Sequence, residues 1–501
     1  SSAASDVYKR QSSTYQPIFS IVAKNANEEQ KAEFVKVIED TLKGIVENGM
    51  DKKALEAGIN YHEFRYREAD FGGYPKGLMY GLQIFDSWLY DETKPFIHVE
   101  ALDTFVFLKE QISTGYFEKL IQAYLLDNQH GALVTIVPEP GRTARLDEEL
   151  KAKLQAYKES LSREEIDKLV ADTKHLQEYQ EEPSSQEDLE KIPMLTREDI
   201  SREIAPIYNE EMKIAEIPTV FHEIETNGIG YLDLMFDLSD VPEKDLPMVG
   251  LLQAVLGIID TEHYEYGELF NEINRHTGGI GTSLELYPDV TKVKEKEFKA
   301  TFEIKGKALY GQIPFAIRMM KEILTASKLD DEKRLKEILS MTKTRLQDRF
   351  LSAGHSAAAL RAMSYKSPIS KFKDTTNGIE YYQNIREMEE HFDEKKEEII
   401  SGLKALSELL FRKGNVMISY TASREGLAVL EEEIGSLKEA LYPERTPESR
   451  CILHCEKKNE GFKTSSKVQF AAKAGNFIDA GEEYNGALQI LKVIMSYEYL
   501  W

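Results

Sequence analysis

The sequence predicts an α+β fold in which helices layer on antiparallel or mixed sheets. Three observations carry this. Leu232, Leu234, Phe236 and Leu238 alternate with Tyr231, Asp233, Met235 and Asp237, and a repeat of two marks a strand with one buried face. Met248 to Ile259 is apolar nearly throughout, which marks a buried helix. The whole of Asn227–Leu286 runs strand, helix, helix, Gly-Gly, strand. Pro242 and Pro247 bracket the break after the first strand. The second helix (Leu269, Phe270, Ile273) ends at Thr277-Gly278-Gly279, where glycine takes the left-handed cap conformation.

Taken in order, the chain opens with residues to set aside. Ser1–Ser5 is low in complexity and Asp6–Gln11 reads as a translated sequencing adapter, so 1–11 are treated as non-native. They hold no charged n-region or apolar h-region, so they are no signal peptide. Pro17–Lys24 predicts a short strand. Asn27 caps a helix with Phe34, Ile38, Leu42, Ile45 and Val46 on one face, closed by Asn48-Gly49. Asp51 starts another helix. Phe71–Pro75 is a turn, and Leu78–Leu89 predicts a buried helix. Tyr116–Leu126 is helical, and His130–Val137 predicts a strand stopped by Pro138 and Pro140.

Composition shifts at Leu146–Ile200. Leu146, Leu150, Leu154, Tyr157 and Leu161 form one helical stripe, and Ile166, Leu169, Val170, Thr173 and Leu176 a second. Ser162 to Glu165 reads as a capping box between them. Two such helices in series predict an antiparallel hairpin packed on its neighbours. Beyond Asn227–Leu286, Phe298–Ile304 predicts a strand, and Ile313–Ile323 and Glu332–Leu351 predict helices. Met388–Leu410 predicts one charged helix and Gly414–Thr421 a strand. Thr446–Arg450 makes a boundary. Val468–Ala472, Gly475 and an apolar helix (Leu488, Leu491, Ile494, Met495) open a further domain.

At 501 residues the chain holds several domains. A net charge of −24, from 63 basic against 87 acidic side chains, argues against nucleic acid as a partner. No run of eighteen apolar residues spans a membrane. The expectation is a soluble chain, cytoplasmic if bacterial. The two cysteines, Cys451 and Cys455, make no disulfide framework. In a strand they share a face while His454 points away, so they form no metal clip.

Near-motifs fail on chemistry. His391-Phe392-Asp393-Glu394-Lys395 ends in a lysine, which repels a cation at neutral pH. His62-Glu63-x-x-Tyr66 and His222-Glu223-x-x-Thr226 each lack the second histidine. Gly354-His355-Ser356-Ala357-Ala358 follows a long helix, where a nucleophile elbow needs a strand. Gly278-Gly279-x-Gly281 has no phosphate-binding lysine. The sequence thus names no catalytic, metal or cofactor-binding residue.

Three segments carry a family resemblance: Tyr116–Pro140, Asn227–Leu286 and Gly461–Trp501. They resemble the insulinase-like (pitrilysin) zinc metallopeptidases, most closely the presequence-protease branch. The resemblance implies repeated two-layer α/β domains with helices on one face of each sheet, joined by a helical hairpin, half of a clamshell. It assigns 12–145 to the second α/β domain of the catalytic half and 146–215 to the hairpin linker. Residues 216–445 become a third domain, and 446–501 the start of a fourth.

In the family's catalytic copy, the buried helix carries His-x-x-Glu-His. Here the motif falls on Gly250, Leu251, Leu252, Gln253 and Ala254, which cannot make a zinc site. The resemblance therefore implies a degenerate copy within an internal fragment. Zn2+ would sit in a domain absent from this chain, with short unstructured peptides and that missing N-terminal catalytic domain as partners. The parent would be a zinc metallo-endopeptidase; the alternative is a scaffold or peptide-binding subunit of the same fold. The acidic balance reads first as ordinary solubility, and it would also suit basic presequence-like peptides.

Overall fold

The computed structural model describes residues 9–11, 18–23, 26–204, 206–292, 294, 296–445, 450–464 and 468–499. It divides into two compact units. The first comprises Ser1–Asn25, Val37–Asp127 and Tyr208–Trp501, the second Ala26–Lys36 and Asn128–Ile207. In chain order, β1 (Lys9–Gln11) pairs antiparallel with β2 (Ile18–Ser20). Helices α1 (Lys31–Asn48), α2 (Lys52–Glu68), α3 (Lys76–Trp88), α4 (Leu102–Gln111) and α5 (Tyr116–Ile121) follow. Asp51 caps α2 by accepting from the Lys53 and Ala54 amides, and Gly49 closes α1 at φ +83°, both as the sequence predicts.

Two expectations in this region change. Leu78–Leu89 is helical but not buried: Leu78, Leu82 and Leu89 are 53%, 53% and 71% exposed, because the described residues lay no sheet against that face. His130–Val137 is neither helix nor strand and joins no ladder. A strand exists only through its partner's hydrogen bonds, and none is offered here.

The second unit holds α6 (Arg142–Ser160), α7 (Arg163–Glu181) and α8 (Gln186–Glu190). The capping box forms: the Glu165 amide donates to Ser162 Oγ at 3.2 Å, and the Ser162 amide to Glu165 Oε2 at 2.8 Å. The predicted packing does not. Leu150, Leu154, Tyr157, Val170 and Leu176 are each more than half exposed. Each stripe is a narrow seam flanked by charge, and such a seam buries little apolar area.

The first unit resumes with β3 (Glu210–Ile214), β4 (Ile217–Glu223) and β5 (Ile229–Asp237). Next come α9 (Leu246–Val255), α10 (Tyr266–His276), β6 (Ile280–Pro288) and β7 (Phe298–Leu309). Helices α11 (Ile313–Thr325), α12 (Glu332–Ser352), α13 (Gly354–Ser364), α14 (Pro368–Asn377), α15 (Ile379–Glu390) and α16 (Phe392–Leu410) lead to β8 (Val416–Ala422) and α17 (Arg424–Ala440). Helix α18 (Ala487–Ile494) comes last. The predicted single helix over Met388–Leu410 breaks at His391, because Phe392 turns into the core while His391 stays outside. Val468–Ala472 forms no strand, and the boundary expected at Thr446–Arg450 falls mostly outside the described residues.

The six strands form one open mixed sheet in the order β3-β4-β8-β5-β7-β6, with β4 and β8 parallel and every other pair antiparallel. The fold is α+β. Register places Leu234 between Ile304 and Ile418. With Phe221, Leu232, Phe236, Phe302 and Tyr420 these side chains line the helix-covered face, all fully buried. The hydrophobic effect of removing them from water holds the layers together. Among the described residues no helix is long and apolar enough to cross a membrane.

Candidate functional site

Helix α9 starts with Leu246-Pro247, where proline's missing N–H costs nothing. It ends before Gly257, which takes φ +86°. Leu251 and Leu252 are fully buried. A Cβ on Gly250 would lie 2.5 Å from Thr376 O and 2.7 Å from Tyr381 Cε2, so the helix touches α14 and α15 at this glycine. Gln253 is held twice: its Nε2 donates to Thr282 O at 3.3 Å, and its backbone carbonyl accepts from Thr282 Oγ1 at 3.0 Å. Glycine, glutamine and alanine offer no imidazole or carboxylate, and the Gly250 site has no room for a larger side chain. These residues do not fit zinc.

The near-motifs are dispersed. His391 faces Glu394 at 3.7 Å between α15 and α16, and Lys395 pairs with Glu387. Glu63 is taken by Arg67 and Lys109 at 2.7 and 2.6 Å. His222 lies between Asn209 Oδ1 (2.7 Å) and Ser419 Oγ (3.1 Å), and Glu223 pairs with Arg424. The Cys451 amide donates to Ser239 O, while His454 meets Glu243 Oε2 at 2.7 Å. Burial, with Glu243 nearby, pushes the Cys451 thiol up to about 11, away from reactive thiolate. Gly354 opens α13 directly after α12, with no strand before it. Gly278 lets the Phe64 ring of α2 approach, since a Cβ there would lie 2.1 Å from Phe64 Cε1. Among the described residues no three His, Cys, Asp or Glu side chains converge on a metal position.

Chemistry gathers instead on the sheet face away from the core. Register aligns Asp233 with Lys305 and Ser419, and Ser283 with Glu303. Lys305 pairs with Glu285 at 3.1 Å and with Glu303 at 3.0 Å. Glu303, 1% exposed, also accepts from Tyr287 OH at 2.7 Å and Thr301 Oγ1 at 2.6 Å. Burial raises the Asp233 carboxyl to about 6; Lys305 opposes the shift, while Glu303 and Glu285 add to it. Along the same face, Tyr231 OH and Lys307 Nζ donate to Glu68 of α2 at 3.1 and 2.6 Å. Sequence reasoning missed this cluster. The alternation Thr301, Glu303, Lys305, Lys307 signals a polar strand face, but not which carboxylates of β5 and β6 would join it.

A second polar system ties helices together. Arg361 of α13 pairs with Asp374 (2.5 Å), Glu380 (3.3 Å) and Glu460 (2.8 Å). Lys371 bridges Glu380 (2.6 Å) and Glu243 (3.7 Å). Hydrogen bonds from Arg361 hold the Glu460 carboxyl down to about 2. Beside this network lies an open groove of about 610 Å³, lined by Glu243, Glu380, Asn384, Arg450 and His454 among others. Its charged groups are largely spent on one another, which makes it a structural seam for the 450–461 segment.

Comparison with known proteins places the chain. Residues 136–388 match the family model for the associated domain of peptidase family M16, subfamily C. The chain is 38% identical over 489 residues to Protein HypA of Clostridium perfringens, covering 98% of this chain and 50% of that protein. It is 28% identical to Presequence protease 1, chloroplastic/mitochondrial, of Arabidopsis thaliana, over 97% of this chain and 45% of that protein. It is 24% identical to the mitochondrial presequence protease of Yarrowia lipolytica, over 96% and 48%. The chain thus spans about half the length of the curated relatives it matches. By the match over 136–388, it belongs to the associated-domain family of peptidase family M16, subfamily C.

Proposed function

We propose that this chain is the non-catalytic portion of a zinc metallo-endopeptidase that degrades short, unstructured, presequence-like peptides in an enclosed chamber. One observation carries the reading. Helix α9 occupies the place of a catalytic helix in the strand–helix–helix–strand order, yet presents Gly250, Gln253 and Ala254 where the resemblance puts ligands and base. Relatives named presequence protease support it. In this reading 12–145 belongs to the catalytic half, 146–215 links the halves, 216–445 is the degenerate copy and 446–501 begins a fourth domain. Zinc belongs to a domain outside this chain, and no step of hydrolysis runs through these residues. What they contribute is a wall. The mixed-charge sheet face around Asp233, Glu285 and Lys305 offers the part-exposed Glu285 carboxylate, with Asp233 beside it, to a basic, extended peptide.

The test pairs this chain with the intact Clostridium perfringens relative. The chain alone should retain no stoichiometric zinc and cleave no basic unstructured peptide, while the intact relative cleaves it in a chelator-sensitive way. Chelator-sensitive cleavage by this chain alone would sink the non-catalytic reading. An intact relative that binds peptides without cleaving them would favour the scaffold reading.

A further inference from the structure

Residues 131–137 read Gly-Ala-Leu-Val-Thr-Ile-Val. Four consecutive β-branched residues, Val134 to Val137, favour extended backbone. The segment forms neither helix nor strand, and among the described residues its backbone makes no hydrogen bond. Its side chains meet water: Val134 is 79% exposed and Ile136 91%, with Leu133 and Val137 near half.

The pattern specifies what is missing. Leu133, Thr135 and Val137 fall on one face of an extended chain, and Ala132, Val134 and Ile136 on the other. A strand with one face in water alternates apolar with polar. A strand apolar on both faces belongs inside a sheet covered on both sides. Pro138 and Pro140 follow and end any ladder, since proline has no N–H to give. The segment therefore has the composition and terminator of an interior strand, without a sheet.

We propose that 131–137 is a docking strand that completes a β-sheet in a polypeptide equivalent to the half of its relatives that this chain does not span. The proposal rests on the reading above, in which the chain works with such a portion. The occupant is argued from the span: intact relatives carry about as much chain again as is present here. A second copy of this chain is the competing occupant.

Hydrogen exchange tests it. In this chain alone, amides 132–137 should exchange as in an unstructured peptide at every protein concentration. The aligned segment of the intact Clostridium perfringens relative should exchange more slowly by a factor on the order of a hundred. Thr135→Pro in this chain should leave melting and exchange elsewhere unchanged, because the segment pairs with none of the described residues. Three results would overturn the proposal: protection in this chain when dilute, protection that appears only as it is concentrated, or free exchange in the intact relative. Peptide cleavage by that relative is scored separately. A relative that protects the segment but cleaves nothing defeats the peptidase reading and leaves the docking strand standing; one that cleaves while the segment exchanges freely does the reverse.

Discussion

Gln253 and Thr282 hold each other twice, Gln253 Nε2 donating to Thr282 O at 3.3 Å and Thr282 Oγ1 donating to Gln253 O at 3.0 Å. The pair fastens α9 to β6. Gln253→Glu replaces a donor with a carboxylate facing a carbonyl oxygen. It should destabilise the first unit by about 1–3 kcal/mol at pH 7 and create no peptidase activity. Urea unfolding and a peptide-cleavage assay on the same preparation check both halves.

Gly250 is set by its neighbours. Alanine is the better helix former, yet its Cβ would meet Thr376 O at 2.5 Å and the Tyr381 ring at 2.7 Å. Gly250→Ala should therefore lower stability by about 1–3 kcal/mol, and Gly250→His should lower it more. A stabilised alanine variant in urea unfolding would show that α9 and α15 are less closely seated.

Asp233 gives a pH signature. Its carboxyl is raised from 3.8 to about 6 by burial, with Lys305 opposing and Glu303 and Glu285 adding. A raised acid binds its proton more tightly when folded. Its stabilising contribution is complete below pH 3.8 and is lost as pH rises through about 6. Asp233→Asn should raise stability at pH 7.5 by on the order of 1 kcal/mol after solvent screening, with little effect at pH 4. Melting curves at the two pH values decide it; an equal shift at both would exclude titration of this group.

Arg361 is the hub of the helix network, and Asp374 beside it is fully buried. Arg361→Met leaves that carboxylate without its charge partner and should cost about 3–5 kcal/mol. Arg361→Lys loses the fork that grips Glu460 through two nitrogens, and should raise amide exchange across 451–461. Unchanged exchange there would mean that the segment is seated by something other than Glu460.

Glu460 adds an acid-side signature. Its carboxyl is depressed from 4.5 to about 2 by hydrogen bonds from Arg361. The stability it supplies is present above pH 4.5 and is lost as pH falls toward about 2. Glu460→Gln should flatten that part of the acid-unfolding curve, followed by circular dichroism.

Much was legible in the chain itself. The strand at Ile229–Asp237, the buried α9, the capping box of Ser162 and Glu165, and the glycine closing α1 all depend on residues within a few positions of one another. Hydrophobic period and cap chemistry are local, so sequence exposes them. The absence of imidazole and carboxylate at Gly250, Gln253 and Ala254 was equally plain, because it is a matter of residue type.

Tertiary structure decided what depends on pairing across distance. Whether Val134-Thr135-Ile136-Val137 is a strand depends on a partner, and its β-rich composition cannot supply one. Leu78 and Leu82 are apolar at helical spacing, but burial requires a facing layer. Lys305 meets Glu285 and lies opposite Asp233 only because β6, β7 and β5 adopt one register, and a slip of one residue would send them to opposite faces. The sequence determined the local elements and the residue types at Gly250, Gln253 and Ala254, which offer no zinc ligand. Register and packing decided which faces are covered and which charges meet, because those energies belong to contacts between residues far apart in the chain.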